Sequence, residues 1–210
     1  MTAPDQEPIR SHRMPLLPRT GRRRGLFAWA AVLVTILLGY AITQYTPGEA
    51  TQQRPFVTTG AGRHTVSTKP FDATVTDVRG SAAVEVDLKK YTTSGVWIVV
   101  TMRLLAHPGK PVRLGYAAVF DRAGNKYDQP ARFSAPAFGC QLEPSVSTVA
   151  QFVFEVPVAA ASGLSIEVAP GLDQRMGAVA RIAIPASSSS VSRWAHSTDP
   201  IAVDAPKVAA

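Results

Sequence analysis

Val96-Trp97-Ile98-Val99-Val100-Thr101-Met102-Arg103-Leu104-Leu105 is the most apolar stretch after residue 45. Its apolar residues fall on both faces of an extended chain for much of its length. A strand with one solvated face alternates; a run like this one reads as a central strand covered on both sides. Trp97 is expected in the middle of the core, as packing rather than ligand recognition. Around this stretch the chain alternates with a period of two. Phe71, Ala73 and Val75 alternate with Asp72, Thr74 and Thr76, and Val84, Val86 and Leu88 with Glu85 and Asp87. Val112 to Phe120 gives another strand, and Asp121 to Lys126 the turn that follows it. Ala150, Phe152, Phe154 and Val156 continue the pattern, then Leu164, Ile166 and Val168, and finally Val179 to Ile184. Nothing after Tyr45 sustains a helical period over 11 residues. Seven or more short strands separated by polar turns imply a two-layer β-sandwich. Pro157 and Pro185, which cannot donate to a ladder, close strands.

The segments flanking residues 64–184 differ in kind. Residues 46–63 are polar and punctuated by Gly and Pro, as in a linker. Residues 185–210 open on Pro185, run through Ser187 to Ser190 and hold only isolated apolar points such as Trp194 and Ile201; they read as a disordered tail. Residues 1–24, rich in Pro and Arg without an apolar period, read as a disordered cytoplasmic tail.

Residues 25–45, GLFAWAAVLVTILLGYAITQY, carry no formal charge. About 20 apolar residues in a helix cross the hydrocarbon core of a bilayer. Six arginines precede the run, including Arg22, Arg23 and Arg24, and only Arg54 follows within a dozen residues. Basic residues stay on the cytoplasmic side, so the N-terminus is expected inside and residues 46–210 outside. Trp29, Tyr40 and Tyr45 sit where interfacial aromatics are found. Gly39-Tyr40-Ala41 and Gly48-Glu49-Ala50 resemble signal-peptidase sites, but the long apolar core and long basic region favour an uncleaved anchor. Arg23-Arg24 lacks the preceding Ser or Thr of a twin-arginine signal.

The net charge of +7 divides unevenly. Residues 1–24 hold a net +4, and the remaining 16 basic and 13 acidic residues a net +3. Most of the excess is thus a topology signal, which speaks against nucleic acid as a partner. The single cysteine, Cys140, cannot form a disulfide within its chain; it either pairs between chains or, as the favoured reading, is buried and inert.

No constellation for catalysis assembles. His12, His64, His107 and His196 are scattered and show no metal-ligand spacing. Asp121, Asn125 and Asp128 do not match a calcium loop and read as a turn. There is no G-x-S-x-G elbow, no phosphate loop, and no His beside Cys140 in sequence. The expectation is a non-enzyme without metal or cofactor, and no catalytic, cofactor-binding or metal residue is assigned.

The strand G-V-W-I-V-V-T-M-R (95–103), the segment F-D-R-A-G-N-K-Y (120–127), Glu143-Pro144, the strand Q-F-V-F-E-V-P (151–157) and L-S-I-E-V (164–168) together resemble a known group. It comprises the bacterial immunoglobulin-like domains of unknown function on exported and membrane-anchored Gram-positive proteins, some labelled telomeric-repeat-binding-factor-2-like. The resemblance covers residues 64–184. It implies an all-β, immunoglobulin-like sandwich outside the membrane and no catalytic residues. The family's usual Pro-Gly is here Pro144-Ser145. The Ala, Arg and Val content resembles a high-GC actinobacterium.

The expected function is that of a single-pass, extracytoplasmic accessory or protein-interaction module of the cell envelope, with an envelope or membrane protein as partner. The alternative is a binding module for a cell-wall or lipid ligand, with Tyr91, Tyr116, Tyr127 and Phe133 as candidate contact aromatics.

Overall fold

The computed structural model describes residues 22–45, 54–175 and 177–209, with side chains in the first stretch given for Trp29 and residues 31–41. Residues 1–21, most of the expected cytoplasmic tail, and 46–53 of the expected linker lie outside the described residues. The chain divides into two units, Met1–Glu49 and Ala50–Ala210.

Helix α1 spans Arg22–Tyr45 and contains the whole uncharged run. Thr35 satisfies its hydroxyl inside the helix by donating to the Ala31 carbonyl at 2.9 Å. Among the described residues no helix is long and apolar enough to cross a membrane.

The second unit is a β-sandwich, with twelve strands in two sheets among the described residues. In chain order they are β1 (Phe56–Ala61), β2 (Val66–Ser67), β3 (Phe71–Val86), β4 (Lys89–Ala106), β5 (Val112–Phe120), β6 (Lys126–Asp128), β7 (Gln141–Leu142), β8 (Ser147–Val156), β9 (Ser165–Pro170), β10 (Ala178–Ala183), β11 (Ile201–Ala202) and β12 (Lys207–Val208). One sheet has the order β1-β10-β9-β5-β6, with β7 also on β5; the other has β11-β3-β4-β8-β12, with β2 also on β3. Inward-facing Ile98, Val100, Met102 and Leu104 of β4 meet Phe152 and Phe154 of β8 and Leu114, Ile166 and Ile182 from the opposite sheet in one core.

The opening run lies in β4, the middle strand of its sheet, with β3 and β8 on either side. Its double-sided apolarity has a specific cause. Trp97 and Val99 face away from the main core into a second cluster with Val84, Val86 and Val153, roofed by Phe133, Ile201 and Val203. Trp97 is therefore fully buried, but on the outer face of its sheet rather than between the sheets, which corrects its expected position.

Three further expectations change. Residues 54–63 are not all linker: β1 pairs in parallel with β10 over six residues. Its side chains are mostly exposed, so the pairing stabilises through the backbone and leaves no apolar period to read. Residues 185–210 are not a disordered tail in their described part. Helix α2, Ser188–His196, starts where the Ser187 hydroxyl accepts from the Ser190 N–H, so the serine run is an N-cap. Val191 of α2 is buried in the main core, and Trp194 lies on the bare backbone of Gly80, where an added Cβ would come within 2.5 Å of the indole. Beyond α2 the chain crosses the outer face of the second sheet, pairing with β3 through β11 and with β8 through β12. Finally, Leu88 is no strand residue. Asp87 and Leu88 form the two-residue turn between β3 and β4, both at positive φ, and Leu88 is 93% exposed.

Ser145, between β7 and β8, has a φ of 63°. Its N–H donates to the Ala106 carbonyl at 2.9 Å, so the turn holds despite the left-handed backbone. Ser145→Gly removes the steric cost and is expected to raise the unfolding free energy by about 1 kcal/mol in urea titration. An unchanged or lowered midpoint would show that the turn carries no strain.

Candidate functional site

A cleft of about 950 Å³ lies at one end of the sandwich. The starts of β1 and β10, the turn from β2 to β3 and the connection from β4 to β5 meet there. Short bonds fix these segments: the Thr68 hydroxyl donates to the Phe71 carbonyl at 2.6 Å, and the His107 N–H donates to the Pro70 carbonyl at 3.1 Å. Phe56, Pro70, Pro108, Pro111 and Val112 supply an apolar wall, and three prolines keep it stiff. Lys69, His107 and Lys110 are its basic side chains, and among the described residues no carboxylate lines the cleft. Neither lysine has an ion-pair partner among the described residues. Phe56 is 69% exposed. Rigid apolar surface carrying unpaired cations is suited to an anion borne on an apolar body.

His107 is the third basic side chain of the cleft. One ring nitrogen lies 3.0 Å from the Lys69 carbonyl and the other 2.9 Å from the Asp72 carboxylate. Both partners only accept, so both ring nitrogens must donate, and the imidazolium is the favoured form. The hydrogen bond to Asp72 thus raises the His107 pKa above its ordinary value, against desolvation. Burial pushes Asp72 up, but hydrogen bonds from Ser67 and His107 hold its carboxyl below the ordinary range. The signs give a window. The raised His107 pKa contributes stability that is present below 6.5 and lost as pH rises through its folded value. The lowered Asp72 pKa contributes stability present above 3.8 and lost as pH falls through its folded value. The contribution is small, since both side chains are about one-third exposed, at 34% and 27%. Asp72→Asn is expected to lower the His107 titration midpoint, read from its imidazole NMR shifts. An unmoved midpoint would rule out Asp72 as the cause.

The residues singled out in the sequence are placed as follows. His64 and His196 are separate, His12 lies outside the described residues, and no group of three metal-type donors occurs among the described residues. Asp121 accepts from the Ala123 and Asn125 N–H groups, each at 2.9 Å, from the Asn125 amide at 2.8 Å and from the Tyr127 hydroxyl at 3.2 Å. Its oxygens are spent on the turn, and the Asn125 side chain leads the bonds that lower its pKa. Cys140 is half-buried, burial raises its thiol pKa, and both ring nitrogens of His107 are engaged elsewhere. Tyr91 and Phe133 pack on each other, with ring centroids 4.9 Å apart, in the roof over Trp97. Tyr127 packs against the main core. Tyr116 faces a pocket of about 350 Å³ beside the exposed side chains of Phe138 and Leu172. Glu167 and Arg181 form an ion pair on the same sheet, and burial ahead of the Glu167 charge raises the Tyr116 pKa. None of the four aromatics lines the end cleft. Sequence reasoning passed over Lys69 and Lys110. Their signal was present in Lys69-Pro70 and His107-Pro108-Gly109-Lys110-Pro111, two basic segments stiffened by proline.

The chain matches no family model. It also matches no curated protein. Among solved structures it is similar to an uncharacterized β-sandwich protein from Clostridium difficile 630, at 12% identity and a TM-score of 0.38 over 62% of this chain and 95% of that one. It is similar to the yjhA protein from Bacillus subtilis, at 8% identity and a TM-score of 0.43 over 58% of this chain and 98% of that one. The third is a "putative lipoprotein" (ycdA) from Bacillus subtilis subsp. subtilis str. 168, at 13% identity and a TM-score of 0.41, over 62% of this chain and 41% of that one. Likeness of this degree transfers no activity, ligand or partner.

Proposed function

We propose that this chain is an accessory module of the cell envelope. Residues 25–45 anchor it in the membrane, and its sandwich presents the end cleft to an acidic group carried on an apolar body. The observation that carries the proposal is the combination of Lys69 and Lys110, without an ion-pair partner among the described residues, with the apolar wall of Phe56, Pro70, Pro108 and Pro111. The uncharged run 25–45 behind three arginines motivates the anchor and the external placement of the sandwich. The strand order supports an immunoglobulin-like assignment: β3-β4-β8 corresponds to strands A-B-E and β10-β9-β5 to G-F-C. Resemblance to the telomeric-repeat-binding-factor-2-like domains belongs to the same proposal, as does an actinobacterial origin.

Non-enzymatic action is part of it, since no base is placed to activate the Thr58 hydroxyl or the lysines of the cleft and its His107–Asp72 bond is already closed on itself. Reversing both lysines, Lys69→Glu with Lys110→Glu, is expected to abolish the association made through the cleft. The assay is a photo-crosslinking side chain placed at Thr58, which lines the cleft. A discrete adduct in the native chain that disappears in the reversed one supports the proposal. No adduct, or one indifferent to the charge reversal, contradicts it.

A further inference from the structure

We infer that the end cleft takes the phosphate of an anionic phospholipid headgroup, docking the sandwich on the membrane that α1 anchors. This rests on the anchor and the cleft proposed above, and adds the occupant. Three features carry it. The first is charge complementarity: Lys69, Lys110 and His107 line one cleft, and among the described residues no carboxylate lines it with them. The two lysines carry that charge, because Asp72 and the Lys69 carbonyl already occupy both ring nitrogens of His107. The second is an apolar foot. Phe56 and Val57, at the start of β1, are 69% and 39% exposed, and Pro108 and Pro111 are exposed beside them. Exposed apolar side chains next to cations are the arrangement that enters the headgroup region of a bilayer, the rings and methyls below and the cations at phosphate level. The third is connectivity. Ten residues, 46–55, join the last residue of α1 to the first of β1. Their covalent reach is at most about 35 Å. Phe56 is the first strand residue after α1, and a tether of that reach permits the cleft it lines to meet the leaflet.

A phosphodiester fits this site better than a carboxylate. It offers several unshared oxygens to cations approaching from different segments, and its acyl chains supply the apolar body that Phe56 meets. Free inorganic phosphate would share the cations but not the apolar wall.

The test uses the full chain reconstituted in nanodiscs of phosphatidylcholine, with or without phosphatidylglycerol, and reads hydrogen exchange by mass spectrometry. Peptides covering 56–58, 69–72 and 106–112 are expected to exchange more slowly in the anionic discs, with each lysine contributing about fivefold to the docked population. The protection is expected to vanish at 0.5 M salt (roughly a 4 Å screening length) and in the Lys69→Glu, Lys110→Glu chain. Inorganic phosphate added to phosphatidylcholine discs should not reproduce it. Equal exchange in both kinds of disc overturns the lipid occupant, while the cleft proposal then survives if the Thr58 crosslink yields a protein adduct. Protection reproduced by phosphate alone also overturns it. A chain recovered apart from the discs overturns the anchor and this inference with it.

Discussion

Removal of residues 187–209 is expected to leave the sandwich largely unfolded at room temperature. The segment looks dispensable in sequence, yet it closes three surfaces. Val191 fills the main core at 5% exposure, and Trp194 covers Gly80. Ile201 and Val203 roof the second cluster. Their combined burial is worth about 5 kcal/mol at 1.5–3 kcal/mol for a fully buried large side chain, allowing for those only partly covered. Polar groups would be stranded as well. The buried Ser81 hydroxyl lies 2.9 Å from the Ser197 carbonyl and 2.7 Å from that of Asp199, and the buried Gln151 accepts from the Asp204 N–H at 2.8 Å. A buried polar group left without a partner costs about 1–3 kcal/mol. Loss of this size consumes most of the 5–15 kcal/mol of stability typical of a domain. The edges of β3 and β8 would also lose the strands that now pair them, and unpaired edges invite association. Urea titration and size exclusion would show this. A truncated chain that stays monomeric and melts within about 2 °C of the full one would mean the strap is ornamental.

Trp97→Ala is the second large effect, expected to cost about 3–5 kcal/mol. Trp97 is fully buried beneath Phe133, with centroids 5.8 Å apart, and beneath the Arg132 guanidinium at 5.1 Å from its ring. Arg132 is held there by its ion pair with Glu155, which also accepts from the Thr93 hydroxyl at 2.5 Å. The cavity would open on the outer face of the second sheet and leave the inter-sheet core intact. Trp97→Phe separates volume from polarity. The indole N–H is buried without a hydrogen-bond partner among the described residues, so phenylalanine removes an unsatisfied donor while keeping most of the ring. Its cost is expected to stay below about 1.5 kcal/mol. If both substitutions cost the same, the indole N–H is not the unpaired group seen here.

These two effects mark where the sequence was legible and where it was not. Alternation in 71–76, 112–120, 150–156, 164–168 and 179–184 revealed strands because their inward residues meet one continuous core. The double-sided run 96–105 correctly pointed to a central strand, but a one-dimensional pattern cannot say which face of Trp97 meets which partner. β1 escaped notice because an exposed edge strand is stabilised by its backbone ladder with β10, and main-chain bonds leave no residue signature. The closing segment escaped because its contacts are long-range. Trp194 finds Gly80, and Ser81 finds Ser197 and Asp199, more than 100 positions apart. The cleft was hidden for the same reason: Phe56, Lys69, His107, Lys110 and Ala178 come from four separate segments. The Asp121 turn was readable because its bonds are local.

Crosslinking from Thr58 in intact cells bears most directly on the end cleft as the contact site. A single adduct class is expected from the native chain, and its loss when Lys69 and Lys110 are both changed to glutamate. An adduct of unchanged yield in the charge-reversed chain, or none from the native one, would contradict the assignment.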